Sequence, residues 1–420
     1  MRNLFDQYDQ PENRLTHALV CVLQSDQVLL RKFVKWATGD SIARDRQIEV
    51  LEQQLPGEEE ATDELEVERK GLPDAWIHDG DGWALLIESK IQATLRQGQL
   101  DRHRRTAERR GFSQIRLIAF VPQRHQSGAF ENVRIFEWAE LYSWMGGQKA
   151  CDWARRLTEY MEVLEQKLAD RNYLKEGTMT VFSGIPFGRD CPYNYHEAKR
   201  LLHLALNQIK RSREISKRLH ITPNGKGRPA ITGREGSGVW DFIPLAVSHA
   251  AKSFTQYPHL TMGIQRDRLI VIVTIPNGIR PDFRRNLLAG GEESFLEVFE
   301  TVFNGLRRSL GKIQGATPFA EIIQRHFPTQ RSTPITDARL EFDLRTAFRG
   351  SKPWRKPVKR QPEWLKALYE ALSGKRSNLQ FAVGAIFSYE RCEAVHKPEI
   401  LDDAVNVWMA CRPLIKRTLE

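Results

Sequence analysis

Apolar residues along this chain recur in two rhythms. Leu15, Leu19, Val22 and Leu23 return at helical spacing, which predicts a helix from residue 11 to about residue 37, with Pro11 suited to its first turn. Residues 53–69 are rich in glutamate and read as a solvated loop. The rhythm then changes. Between residues 72 and 90, two short apolar runs flank Asp79, Gly80, Asp81 and Gly82, which tolerate the positive φ of tight turns, and this predicts a hairpin. A helix over about 94–110 follows, ended by Gly111. Residues 115–121 read as a buried strand stopped by Pro122, residues 133–136 as a further short strand, and residues 138–170 as helix with a break at Gly146 and Gly147. Together these elements predict one compact α/β domain of about 170 residues.

A boundary is expected within 171–190, where Gly177, Gly184, Pro186 and Gly188 interrupt the pattern. Residues 195–218 read as a basic helix, and 224–238 as a glycine-rich loop carrying Lys226, Arg228 and Arg234. That loop lacks the GxxxxGK[ST] spacing of a phosphate-binding loop. Residues 260–263 and 268–275 predict a hairpin, and 295–310 an amphipathic helix. Residues 349–362 read as a proline-rich basic linker, followed by helices that include 363–372 and 401–419. The expected organisation is an α/β domain over 1–170, a basic α+β domain over 171–348, and a linker with C-terminal helices over 349–420.

Composition narrows the function class. The 420 residues carry a formal net charge of +10, unevenly spread. Acids outnumber bases in the first 170 residues, so the whole positive excess lies beyond them. A basic region attached to an acidic one points to a polyanionic partner, nucleic acid first. No stretch approaches the length of uncharged apolar chain that spans a bilayer, so no membrane partner is expected. The opening residues lack the apolar run of a signal peptide. The five cysteines are scattered, with no CxxC pair or Cys/His ligand spacing. This disfavours structural zinc and a disulfide framework, and fits a reducing cytoplasm.

The chemistry concentrates in the predicted hairpin. Side chains alternate faces along a strand, so Glu88 and Lys90 share a face and Ser89 points away. Asp74 lies near the end of the neighbouring strand and can approach Glu88 if the strands pair across the turn. Two carboxylates that close repel unless a cation sits between them. Mg²⁺ (or Mn²⁺) suits hard oxygen ligands, and the main chain at Glu88 and Ser89 can add a carbonyl. A metal-bound water attacking phosphorus needs charge stabilisation, which a nearby ammonium supplies. Lys90 would orient that nucleophile, help deprotonate it or stabilise the transition state.

Pro73-Asp74 followed by Glu88-Ser89-Lys90, with 13 residues between the two acids, resembles the signature of the PD-(D/E)xK nuclease superfamily. Many members carry a glutamate on the first helix that turns toward the metal. Glu12 stands in that place, three residues before Leu15 and seven before Leu19. Many also place a glutamine on the helix after the lysine, where this chain has Gln99. His103 departs from relatives that have tyrosine there. The resemblance covers roughly residues 8–145. It implies a restriction-endonuclease-like domain with a central mixed sheet flanked by helices. Asp74, Glu88 and Glu12 would be metal ligands, Lys90 the catalytic lysine, and Gln99 would position the water, the lysine or a phosphate.

Basic residues supply candidate phosphate contacts. Arg96, Arg102 and Arg105 lie on the helix after the catalytic strand, with Arg104, Arg109 and Arg110 beside them. Lys226 and Arg228 lie on the glycine-rich loop. Lys352, Arg355 and Lys356 surround Trp354, whose indole can stack on a base. His17 reads as structural, Trp76 and Trp83 as core or partner-facing, and His196 and His203 lack a third ligand at suitable spacing. The resulting expectation is a metal-dependent endonuclease acting on nucleic acid, with double-stranded DNA the first candidate. A catalytic domain joined to an unfamiliar basic region resembles restriction-like and anti-phage defence effectors, working as a homodimer or with a protein partner. The rival readings are a catalytically silent nucleic-acid-binding module and a regulatory or scaffold subunit.

Overall fold

The computed structural model describes residues 10–52, 72–91, 93–124, 130–171, 178–221, 238–248, 256–277, 279–329, 334–348, 359–374 and 379–420. The chain is a mixed α/β protein that divides into two compact units, Met1–Val181 and Phe182–Glu420.

The first unit is built on a five-stranded sheet of order β1-β2-β3-β4-β5, comprising β1 (Glu49–Glu52), β2 (Ala75–His78), β3 (Trp83–Ser89), β4 (Gln114–Val121) and β5 (Arg134–Glu137). The β1–β2 and β2–β3 pairs are antiparallel, whereas β4 is parallel to both β3 and β5. Parallel pairing of β3 with β4 requires a crossover, and α3 (Gln97–Arg109) supplies it. On one face of the sheet, Ala75, Ile77, Leu85 and Ile87 pack with α1 (Pro11–Ser25), α2 (Gln27–Thr38), α4 (Trp138–Gly146) and α5 (Asp152–Asp170). On the other, Trp76, Ala84 and Leu86 pack with Leu100 and Ala107 of α3. All seven residues of β3 are therefore buried, which is why this strand reads as an unbroken apolar run ending in Glu88.

The β2–β3 turn follows its sequence chemistry. Gly80 and Gly82 take φ of 72° and 92°, and Asp79 Oδ1 accepts N–H groups of Asp81 and Trp83 at 2.7 and 3.1 Å. One expected element is divided. The helix predicted from residue 11 to about 37 breaks at Asp26, whose side chain leaves α1 behind and caps α2 by accepting from Val28 and Leu29 N–H at 2.9 Å each.

The second unit carries a six-stranded antiparallel sheet of order β10-β9-β11-β8-β7-β6. Its strands are β6 (Gly238–Pro244), β7 (His259–Gln265), β8 (Arg268–Ile275), β9 (Ala316–His326), β10 (Ile335–Asp343) and β11 (Leu379–Ser388). One face packs on α6 (Tyr195–Arg211), α9 (Gly291–Leu310) and α11 (Ile400–Ala410), with α7 (Arg213–Leu219), α8 (Pro281–Leu288), α10 (Glu363–Gly374) and α12 (Arg412–Leu419) around them. Residues 379–388, which sequence assigns to a stretch of linker and helices, form β11 in the interior of this sheet between β9 and β8. At Gly384 the neighbouring backbone comes so close that a Cβ would lie 2.1 Å from Val271 O. The basic helix expected over 195–218 is divided at Ser212, whose hydroxyl accepts Ile215 N–H and caps α7.

Candidate active site

Three elements converge where β3 ends. Strand alternation puts Glu88 on the face covered by α3, with Ala84 and Leu86, and turns Ser89 toward α1. Glu88 is 1% exposed. Its Oε1 accepts from Lys90 Nζ at 2.5 Å and from Gln99 Nε2 at 2.6 Å, and its Oε2 accepts from His103 Nε2 at 2.9 Å. Gln99 and His103 lie four residues apart on α3, one helical turn, so both reach the same carboxylate. Burial alone would raise the Glu88 pKa, but the hydrogen bond from His103 and the charge of Lys90 outweigh it and hold the group below its ordinary value.

Asp74 precedes β2. Its Oδ2 accepts the main-chain N–H of Ser89 at 2.7 Å, which ties the two arms of the hairpin together beside the acids. Its pKa is pushed up to about 7, first by burial and then by the negative charge of Glu88; the Ser89 N–H, Lys90 and His103 pull the other way only in part. The pair thus holds one negative charge on Glu88 and a proton on Asp74 at mildly acid pH.

The other face of the strand end is anchored to α1 and α4. Thr16 Oγ1 donates to Ser89 Oγ at 2.8 Å, and Glu12 Oε1 accepts Ile91 N–H at 3.3 Å. Lys90 N–H bonds Phe120 O at 2.9 Å, and Trp138 Nε1 donates to Lys90 O at 3.0 Å. The backbone carrying Lys90 is therefore held from both sides.

Five residues singled out by sequence meet here: Asp74, Glu88, Lys90 and Gln99 on the α3 face, and Glu12 at the main chain just beyond Lys90. The contact of His103 with Glu88 was not foreseen, although its spacing from Gln99 carries the signal. The Thr16–Ser89 bond has no local sequence signal, because it depends on how α1 lies across the sheet. Arg96 is exposed at the N-cap of α3, and Arg102 and Arg105 project from the exposed side of the helix, opposite Leu100, His103 and Ala107. Lys226, Arg228, Lys352, Trp354, Arg355 and Lys356 fall outside the described residues. Elsewhere, Trp76 and Trp83 are core residues, and His17 Nδ1 meets Glu52 Oε2 at 2.6 Å.

Among the described residues, no set of three or more His, Cys, Asp or Glu side chains is gathered at ligand spacing. Cation binding here would rest on Asp74 and Glu88. The donor set fits a hard divalent ion: both are carboxylates, and the Glu88 charge that adds to burial in keeping a proton on Asp74 is a repulsion that a cation relieves. With two lone pairs per carboxylate oxygen, Asp74 Oδ1 and one position on Glu88 Oε2 remain for such an ion beside the bonds described.

Comparison of the chain with protein-family models, with curated proteins and with solved structures returns no match.

Proposed function

We propose that the first unit is a metal-dependent phosphodiesterase that cuts nucleic acid, with DNA its first candidate substrate. The observation that carries this reading is the convergence of Asp74, Glu88, Lys90 and Gln99 at the end of one buried strand. Asp74 and Glu88 would hold Mg²⁺ or Mn²⁺, which supplies a more acidic bound water and stabilises charge on phosphorus. Glu12 would assist from the adjoining main chain.

The protein's own groups would do the rest. The Lys90 ammonium is fixed by Glu88 and by the tethered backbone, so it can meet the attacking oxygen or the non-bridging phosphate oxygens without reorganising. Gln99 holds Glu88 through one N–H and has a second for the water or a phosphate. His103 positions Glu88 from the other side and touches no reacting atom. One P–O bond forms to the water oxygen and one breaks, leaving a phosphate and a hydroxyl end. Exposed arginines on α3 would contact phosphates near the cut. The basic excess beyond residue 170 would supply further backbone affinity, in a restriction-like or defence role, as a homodimer or with a protein partner.

The test is plasmid cutting by the purified chain in Mn²⁺ or Mg²⁺ and its suppression by EDTA. Binding without cutting under every metal condition would instead identify a silent nucleic-acid-binding module. Salt-sensitive DNA binding by residues 171–420 alone would argue against a scaffold subunit.

A further inference from the structure

The second unit holds a cleft of about 630 Å³ that the chemistry above does not use. Three pieces of chain form its wall. A tight turn over residues 188–191, closed by Gly188 N–H to Cys191 O at 2.8 Å, presents Arg189. The start of α6 presents Tyr195 and His196, behind Asn194, whose side chain accepts the N–H groups of His196 and Glu197 at 3.0 Å each. The turn between β7 and β8 presents Arg266.

Tyr193 gives the cleft its character. Its ring packs on Phe187, with centroids 5.3 Å apart, while its hydroxyl is buried without a hydrogen-bond partner among the described residues. A buried unpaired hydroxyl costs free energy that an acceptor from a ligand would recover. Burial raises the phenol pKa while Arg266 opposes it, so the group stays an O–H donor near neutral pH.

The charge around it is positive and largely uncommitted. Arg189 makes only a 3.6 Å contact with Glu390, both side chains being exposed. Asp267, the acid next to Arg266, is engaged by Arg268 at 2.9 Å, and Glu197 by Arg200 at 2.6 Å. The Tyr195 and His196 rings meet edge to face at 5.4 Å, with Lys199 Nζ 5.7 Å from the centre of the Tyr195 ring, and both rings line the cleft. Two guanidinium groups and a phenol suit phosphate, and aromatic faces suit a base. The volume falls in the range of small-molecule sites.

We propose that this cleft binds a nucleotide unit, its 5′-phosphate held by Arg189, Arg266 and the Tyr193 hydroxyl and its base against Tyr195 or His196. The residues all lie in the second unit, so the inference does not rest on the catalytic reading. A free nucleotide and the 5′ end of a single strand offer the same chemistry.

The experiment is calorimetric titration of the full chain in EDTA with dAMP, deoxyadenosine, inorganic phosphate and a 5′-phosphorylated hexathymidylate. The nucleotide is expected to bind more tightly than deoxyadenosine or phosphate. Arg189→Gln and Arg266→Gln are each expected to weaken it about tenfold, and Tyr193→Phe about threefold with an unfolding midpoint of the ligand-free chain no lower than wild type. Tighter binding of the hexamer, lost in the same variants, assigns the cleft to single strands; equal affinity assigns it to free nucleotide. Phosphate binding as tightly as dAMP, no nucleotide binding at millimolar concentration, or wild-type affinity in Tyr193→Phe and both arginine variants would overturn the proposal. EDTA removes metal-dependent cutting from the readout, so failure here leaves the catalytic reading standing, and the reverse holds.

Discussion

Asp74 Oδ2 accepts the main-chain N–H of Ser89 at 2.7 Å, and so lies beside Glu88 without bonding to its side chain. The two acids lie beside each other on separate tethers, and burial first, then the charge of Glu88, keeps Asp74 protonated. Several consequences of that arrangement can be measured.

The first is a pH effect on the metal-free chain. Asp74 titrates near 3.8 when unfolded and at about 7 when folded. Its contribution to stability is therefore complete below the lower value and is lost as pH rises through the upper one. Glu88 is shifted downward, so its contribution is present above its ordinary value and lost only in acid. Between about pH 5 and 7, Asp74 dominates this pair, and wild type should lose on the order of 2 kcal/mol relative to Asp74→Asn. Urea denaturation at both pH values in EDTA measures it. Parallel curves for the two proteins would count against a raised Asp74.

Metal binding should release that proton. At pH 6, titration with Mn²⁺ in two buffers of different ionisation enthalpy should report release approaching one proton per ion, absent in Asp74→Asn. No buffer dependence for wild type would separate Asp74 from the metal site.

His103 holds Glu88 Oε2 from a position only 1% exposed. His103→Ala leaves a buried carboxylate short of a partner and should cost about 2–4 kcal/mol. His103→Gln keeps a donor and should cost less, while Gln99→Ala, at a less buried position, should cost about 1 kcal/mol. Equal losses in all three would show that the Glu88 hydrogen bonds do not differ in this way.

In the second unit, Gly384 lies in β11 opposite Ile272 and Phe319. Gly384→Ala sets a Cβ against Val271 O and should destabilise by at least about 2 kcal/mol. An unaffected unfolding midpoint would argue against β11 as an interior strand.

Legibility followed locality. β3 could be read because burial on both faces leaves an uninterrupted apolar run, and alternation then places Glu88 and Lys90 on one side. The β2–β3 turn could be read from Asp79, Gly80 and Gly82, which bond and bend within a few residues. The break at Asp26 was legible in principle, since aspartate after a helical run is a good cap, but the surrounding apolar periodicity masks it. β11 was not legible: its partners β8 and β9 are remote in sequence, and its place in the sheet interior, with residues 381–385 buried without a break, emerges only once they pair. At the site, Asp74, Glu88 and Lys90 follow from strand alternation across the hairpin, whereas Gln99 is singled out only by the resemblance to the PD-(D/E)xK signature. The bonds from Thr16 to Ser89 and from Ile91 to Glu12 follow from the docking of α1, which no short window encodes.

Lys90 is the residue on which the proposed chemistry depends most: its ammonium sits 2.5 Å from Glu88 Oε1 and its backbone is pinned by Phe120 and Trp138. The direct measurement is the rate of supercoiled plasmid cutting in Mn²⁺ by wild type and by Lys90→Ala, each first shown to be folded by circular dichroism. The account predicts metal-dependent cutting by wild type and a loss of about 10²-fold or more in the variant. Equal cutting by the two folded proteins, or no cutting by wild type with Mn²⁺ or Mg²⁺, would contradict it.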